Sequence, residues 1–414
     1  MSADTARPLI VENIGELATA SGAGPLAGEA QGAVTRQKNA HVAIGADGRV
    51  LSAGAGAPPD LPGARRLDAG GALVTPGLVD AHTHLVFGGT RAHELALKLQ
   101  GVPYLDILAA GGGILSTVRA TRAASEETLY QEGRRVLEKA LRLGTTACEA
   151  KSGYGLDRET ELRQLRVIRR LSESQPVELA ATFLGAHALP EEYAGDRAGY
   201  LRLLTREVIP QVAAQGLAEY CDVFCETGVF DSREAEEILR AGLAHGLAPK
   251  IHADEIDAIG GAELAGRLRA VSAEHLIAAT DRGIEALARG GTIAVLLPAT
   301  SFYLDKPFAR ARAMVEAGVA VAVATDYNPG SCPCFNLQTA MHLACYKYRL
   351  RPEEVLTAVT LNAAAAMGRA DRLGTLEPGK QGDLLVWDAP DLEHIFYRFG
   401  HNQVRTVVKK GAVL

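Results

Sequence analysis

The stretch Val74-Thr75-Pro76-Gly77-Leu78-Val79-Asp80-Ala81-His82-Thr83-His84 decides how the chain is read. It is an apolar run of strand character that ends in a His-x-His pair. Residues two apart on a strand face the same way, so His82 and His84 project together from its C-terminal end. Two converging imidazoles make half of a metal site. A lone His-x-His also arises by chance, so its meaning depends on what other strands deliver to the same place.

Outward from this run, the chain alternates. Apolar runs at 78–85, 145–150, 177–184, 221–226, 249–253, 270–274, 292–297 and 319–325 are separated by amphipathic stretches such as 126–143 and 232–245. Strand–helix alternation signals βαβ units and a parallel sheet. Eight units within residues 76–375 predict an α/β fold of the (β/α)8 TIM-like barrel type rather than a doubly wound sheet. The flanks differ: short β-strands are expected at 8–14, 41–44, 50–53, 72–74, 383–387 and 404–409, with turn signals such as Gly45-Ala46-Asp47-Gly48. Residues 1–75 and 376–414 are therefore expected to pair into one small β-sandwich domain built from both chain termini.

Composition narrows the function. The 47% hydrophobic and 22% charged content suits a soluble globular protein, and the net charge of -6 argues against nucleic-acid or anionic-membrane partners. No segment approaches the ~20 apolar residues of a membrane span, and no basic region followed by an apolar one opens the chain. The six cysteines have no disulfide-framework spacing, and a cytoplasmic location is expected. The arginines of 163–170 alternate with apolar residues as on a solvated helix face. Gly111-Gly112-Gly113 has neither a preceding strand nor a Walker lysine, so it reads as a flexible or tight loop, not a phosphate cradle.

In a parallel barrel, functional groups cluster at the C-terminal strand ends. Strand 3 leads into His187, strand 5 into His252, strand 6 into His275 and strand 8 into Asp326. Five of the 11 histidines thus fall at strand ends. The others, His41, His93, His245, His342, His394 and His401, are expected on surface helices and loops. Glu255 follows His252 by three residues, a spacing that suits a carboxylate taking a proton from activated water and passing it to a leaving nitrogen. A surface glutamate in a loop is the plainer alternative.

With these residues in view, 74–84 resembles the opening strand of the amidohydrolase superfamily. The tail Gly374-Thr375-Leu376-Glu377-Pro378-Gly379-Lys380-Gln381-Gly382-Asp383-Leu384 is similar to the segment that re-enters its small β domain. The resemblance implies one divalent metal ion, Zn2+ or Fe2+, on His82, His84, His252 and Asp326. Binuclear members carry a bridging lysine on strand 4. Residues 220–226 contain none, and Lys151 falls at the end of strand 2.

Four further segments resemble the members that open an imidazolone ring. They are Phe87-Gly88-Gly89-Thr90-Arg91-Ala92-His93-Glu94, Glu149-Ala150-Lys151-Ser152-Gly153-Tyr154-Gly155-Leu156, Phe183-Leu184-Gly185-Ala186-His187 and Ala324-Thr325-Asp326-Tyr327-Asn328-Pro329-Gly330-Ser331. This likeness implies hydrolysis of 4-imidazolone-5-propanoate to N-formimidoyl-L-glutamate in histidine metabolism, by a cytoplasmic homodimer. It implies Glu255, His275 and His187 as catalytic groups, and Arg91, Tyr154, His187, Glu255, Asn328, Gly330 and Ser331 as substrate contacts. Arg91 would offer its fork to the carboxylate, His187 or His275 would stabilise an oxyanion, and the 328–331 backbone would supply amide donors. Tyr327 and Cys332-Pro333-Cys334 read as packing or loop structure. The alternative reading is a mononuclear deaminase of a nucleobase-like heterocycle, which has no use for an arginine fork.

Overall fold

The computed structural model describes residues 7–101 and 112–414. The N-terminal flank forms β1 (Leu9–Thr19), β2 (Thr35–Ile44), β3 (Val50–Ala55), β4 (Arg65–Asp68) and β5 (Leu73–Pro76). β1 pairs antiparallel with β2 and parallel with β4 and β5, and β2 pairs antiparallel with β3. The 45–48 turn falls where expected: the Gly45 amide donates to the Arg49 carbonyl, and Gly48 sits at a φ of 77° that its missing Cβ permits. The sequence reading missed β4, because Arg65-Arg66-Leu67-Asp68 is a charged edge with little apolar signal.

Eight parallel strands follow. They are β6 (Leu78–Asp80), β7 (Thr145–Lys151), β8 (Glu178–Ala186), β9 (Tyr220–Cys225), β10 (Ala248–Ala253), β11 (Ser272–His275), β12 (Ile293–Leu296) and β13 (Val321–Val323). Each pairs with the next. Strands walled by side chains on one face and helices on the other read as unbroken apolar runs, which is why all eight were legible. The intervening helices carry ordinary start signals. Ser125 caps Glu126–Arg142, Asp157 caps Arg158–Ser174, and Asp231 with Glu234 forms a capping box on Ser232–Ala244. Among the described residues, no helix is long and apolar enough to cross a membrane.

The first strand is shorter than the expected 78–85, ending at Asp80. Beyond it the chain turns to the last strand and closes the ring: the Asp326 amide donates to the His82 carbonyl (3.0 Å) and the His84 amide to the Tyr327 carbonyl (2.9 Å). Below this seam, the Asp80 carboxylate accepts both the amide (3.0 Å) and the hydroxyl (2.6 Å) of Thr325.

The chain then returns through β14 (Leu384–Trp387), β15 (Val404–Lys409) and β16 (Ala412–Val413). β14 pairs antiparallel with β5, so the small domain expected as a sandwich is one continuous mixed sheet from both termini. Its core includes Leu9, Ile14, Val42, Ile44, Val74, Leu384, Val386 and Val408. Two histidines assigned to the surface are buried instead. His41 lies inside β2 with its ring on Ser52 and the Gly56 carbonyl, and His342 packs beneath the Ile395 and Arg398 carbonyls. Both are satisfied by neighbours distant in sequence. Of the 111–113 glycine run, Gly111 lies outside the described residues, while Gly113 opens the helix Gly113–Ala123.

Trp387, the only tryptophan, is fully buried, and its Nε1 donates to Thr75 Oγ1 at 2.8 Å, sewing the C-terminal strand to the N-terminal one. Trp387→Ala should lower stability by ~3–5 kcal/mol, read as a shift in the urea midpoint by far-UV circular dichroism. A midpoint equal to wild type would show that this joint contributes little.

Candidate active site

The strand ends converge as the spacing suggested. His82 and His84 follow β6, His187 follows β8, His252 lies in β10, His275 ends β11, and Asp326 stands three residues past β13. Asp326 Oδ1 lies 3.4 Å from His82 Nε2 and 3.5 Å from His84 Nε2, and His252 Nε2 lies 3.4 Å from His84 Nε2. Four donors held ~2.05 Å from one tetrahedral ion stand ~3.3 Å apart, so these separations fit a ligand cage. The polar bookkeeping agrees: His82 Nε2 and Asp326 Oδ1 are buried without a hydrogen-bond partner among the described residues. His275 joins the same cluster with His82 and His252.

Burial holds His82 and His84 neutral, the form in which an imidazole can ligate. It drives His82, His84 and His187 well below the ordinary histidine range and His275 down to about 3. His252 differs: burial opposes its charge, but the Asp222 carboxylate outweighs that and raises it. Asp254, His275 and Asp326 all take left-handed backbone, with φ of 50°, 67° and 58°. Such conformations concentrate where a chain must be bent to aim a side chain.

Glu255 lies just past β10, its side chain 17% exposed, with Oε2 3.6 Å from His275 Nε2. Burial, then the negative charge of Asp326, pushes its carboxyl up to about 8. The following turn is held by a residue the sequence reading passed over: Glu226 accepts the amides of Ile256 (2.8 Å) and Asp257 (3.1 Å).

The loop after β7 is held likewise. Buried Glu161 accepts the amides of Gly153, Gly155 and Leu156, and Gln164 that of Tyr154. This sets Tyr154 5.3 Å from the His187 ring and 5.8 Å from that of His84. His187 stacks on His84 at 4.9 Å, and its Nδ1 faces the Gly153 carbonyl at 3.0 Å. A carbonyl accepts only, so Nδ1 carries the proton and Nε2 keeps its lone pair.

Two expectations need correction. The Gly330 and Ser331 amides are not available as donors, because both bond Asn328 Oδ1 at 2.8 and 2.7 Å; Asn328 staples its own loop. Arg91 is not an open fork either. Its Nε and Nη2 pair with buried Glu94 at 2.9 Å, which leaves Nη1 beside Gly330, where a Cβ would lie 2.0 Å from it. The short loop lets Asn328 reach its neighbours' amides, and a buried carboxylate needs the nearest guanidinium. Tyr327 and Cys332 behave as expected: Tyr327 packs between Phe87 and Phe335, and Cys332 is buried in the loop.

A barrel with imidazoles and a carboxylate converging at its mouth, joined to a two-termini β sheet, defines an amidohydrolase. The Amidohydrolase family model matches residues 226–414. A zinc- and atraton-bound mutant of atrazine chlorohydrolase TrzN from Arthrobacter aurescens superposes with a TM-score of 0.74 at 16% identity, over 98% of this chain and 95% of that one. A zinc-bound adenosine deaminase from Xanthomonas campestris gives 0.68 at 21% identity, over 98% and 92%. Much nearer in sequence is the imidazolonepropionase of Bacillus velezensis, 50% identical over 97% of this chain and 96% of its own. That of Geobacillus kaustophilus is 48% identical over 99% and 98%. The chain belongs to the imidazolonepropionase family.

Four donors at these separations suit one tetrahedral ion. Protein stripped with a chelator and titrated with Zn2+ should take up about one ion per chain, and His82→Ala, His84→Ala, His252→Ala and Asp326→Ala should each reduce uptake. Elemental analysis finding two tightly held ions would refute a single cage.

Proposed function

We propose that the chain hydrolyses 4-imidazolone-5-propanoate to N-formimidoyl-L-glutamate, a step of histidine degradation, within the barrel of residues 76–375. The small domain of 1–75 and 376–414 braces that barrel. The observation that carries the reading is a cage of ligand-spaced donors with one part-buried carboxyl, Glu255, beside it and outside the donor set. Near-full-length identity to enzymes named imidazolonepropionase supports the substrate.

His82, His84, His252 and Asp326 would hold the ion, and three imidazoles with one carboxylate suit zinc or ferrous iron alike. A divalent ion bound there supplies Lewis acidity and lowers the pKa of water. Glu255 takes a proton from the attacking water and delivers it to the ring nitrogen as the lactam C–N bond breaks, so water adds across that bond. His187 presents a lone pair at Nε2, which accepts from a ring N–H and cannot donate to an oxyanion. Oxyanion stabilisation falls to His275, on the other side of the cage. Tyr154 hydrogen-bonds the substrate. Arg91 takes the propionate with the N–H groups that Glu94 leaves, while Asn328, Gly330 and Ser331 form the wall beside it.

Glu255→Gln removes the proton acceptor with little change of shape. It should retain the ion while kcat falls by ~10²–10⁴, followed as loss of imidazolone absorbance. Near-normal kcat would remove Glu255 from the mechanism.

The Arg91 contact with the propionate is a charge-assisted one of ~1.5–3 kcal/mol. Arg91→Met should therefore lower kcat/KM by roughly ten- to two-hundredfold and erase the preference over a neutral imidazolone lacking the carboxylate. A wild type that turns over both compounds equally would favour a heterocycle deaminase instead.

A further inference from the structure

Beneath the cage, the barrel interior holds five charged side chains: Glu149 and Lys151 on β7, Asp222 on β9, Lys250 on β10 and Glu274 on β11, all fully buried. Barrel interiors are ordinarily filled by layers of branched apolar residues. A buried ionic cluster is seldom more stable than well-packed apolar groups of the same volume, so its presence asks for a role beyond stability.

The contacts run in one direction. Glu149 Oε1 gathers Lys151 Nζ (3.1 Å), Lys250 Nζ (2.9 Å) and the Thr182 hydroxyl. Lys151 Nζ donates onward to Asp222 Oδ2 at 2.8 Å. Asp222 in turn grips residue 252 twice: Oδ1 accepts the His252 backbone amide at 3.2 Å, and Oδ2 lies 3.0 Å from His252 Nδ1, in an approach bent from the line of the ring N–H. The outer nitrogens of the other two cage imidazoles, His82 Nδ1 and His84 Nδ1, have no hydrogen-bond partner among the described residues. None of the three outer nitrogens has a well-aligned hydrogen bond among the described residues, and His252 is the cage ring with a carboxylate oxygen against that nitrogen.

We infer that Lys151 is a positioning residue for the ligand His252, acting through Asp222. Its ammonium fixes the carboxylate orientation that keeps the proton on Nδ1 and the lone pair of Nε2 toward the cage. Lys250 meets Glu149 but makes no contact with Asp222, so it shares the layer without sharing the role. The inference rests on the metal reading above.

The test uses Co2+ as the probe ion, loaded into wild type, Lys151→Met, Asp222→Asn and Lys250→Met. The rate of ion loss to excess chelator is followed by the visible d–d bands, alongside the thermal midpoint of each apo-protein. Oriented outer-shell partners are worth about ten- to a hundredfold in metal affinity. Lys151→Met and Asp222→Asn should lose cobalt faster by that factor and with altered bands, while Lys250→Met stays near wild type. Equal acceleration in all three variants would mean a general loosening of the core and would overturn the inference. A wild-type rate in Lys151→Met would do the same. Should Lys151→Met fail to fold, Asp222→Asn decides, since an amide can turn its NH2 toward the ring and favour the wrong tautomer. Wild type that takes up no cobalt removes the metal reading and this inference together, whereas loaded wild type with unchanged variants removes the inference alone.

Discussion

Closure of the barrel between its first and last strands is the constraint on which the rest of the molecule depends. Two main-chain bonds make that seam, from Asp326 to His82 and from His84 to Tyr327. The residues that close the ring are the residues that carry the donors. Folding the barrel and assembling the cage are therefore one event: an open sheet would leave His82 and Asp326 at opposite edges. The Asp80–Thr325 pair below the seam serves the same end, holding the two strands in the register that brings Oδ1 within 3.5 Å of both imidazoles.

The electrostatics follow from that burial. Burial at the barrel mouth keeps His82 and His84 from charging easily, whereas His252 is raised by the Asp222 carboxylate. Carboxylates experience the same environment with the opposite consequence. Asp222 remains ionised because His252 and Lys151 offset its burial, whereas at Glu255 burial and the Asp326 charge outweigh the opposing pull of His252 and push the carboxyl up to about 8. One ionised and one readily protonated carboxyl within a single site is the division of labour that acid–base chemistry requires.

The loops around the mouth share a construction. Glu94 receives Arg91 and the Gly113 amide, Glu161 the amides of residues 153, 155 and 156, and Glu226 those of 256 and 257. In each case a buried carboxylate behind the loop satisfies backbone donors that would otherwise face an apolar interior. Such anchoring fixes the side chains around the barrel mouth in advance, which is what efficient positioning of a ligand demands.

The eight barrel strands, the composite origin of the small domain and the gathering of five histidines and Asp326 were all legible in the sequence. Parallel strands buried on both faces write themselves as apolar runs, and a parallel barrel has one functional end, so linear order alone located His82, His84, His187, His252, His275 and Asp326. The edge strand at 65–68 left no such trace, and neither did the burial of His41 and His342. What the sequence could not decide was partnership among residues far apart in the chain. That Lys151 stands behind Asp222 and His252 is set by distances of a few ångströms across the barrel, and even the local pairings of Asn328 with its own loop's amides and of Glu94 with Arg91 depend on side-chain directions that spacing does not specify. Apolar burial follows periodicity and is written locally. A buried charge, by contrast, is tolerated only where its counter-ion arrives from another strand, and only the tertiary structure brings the two together.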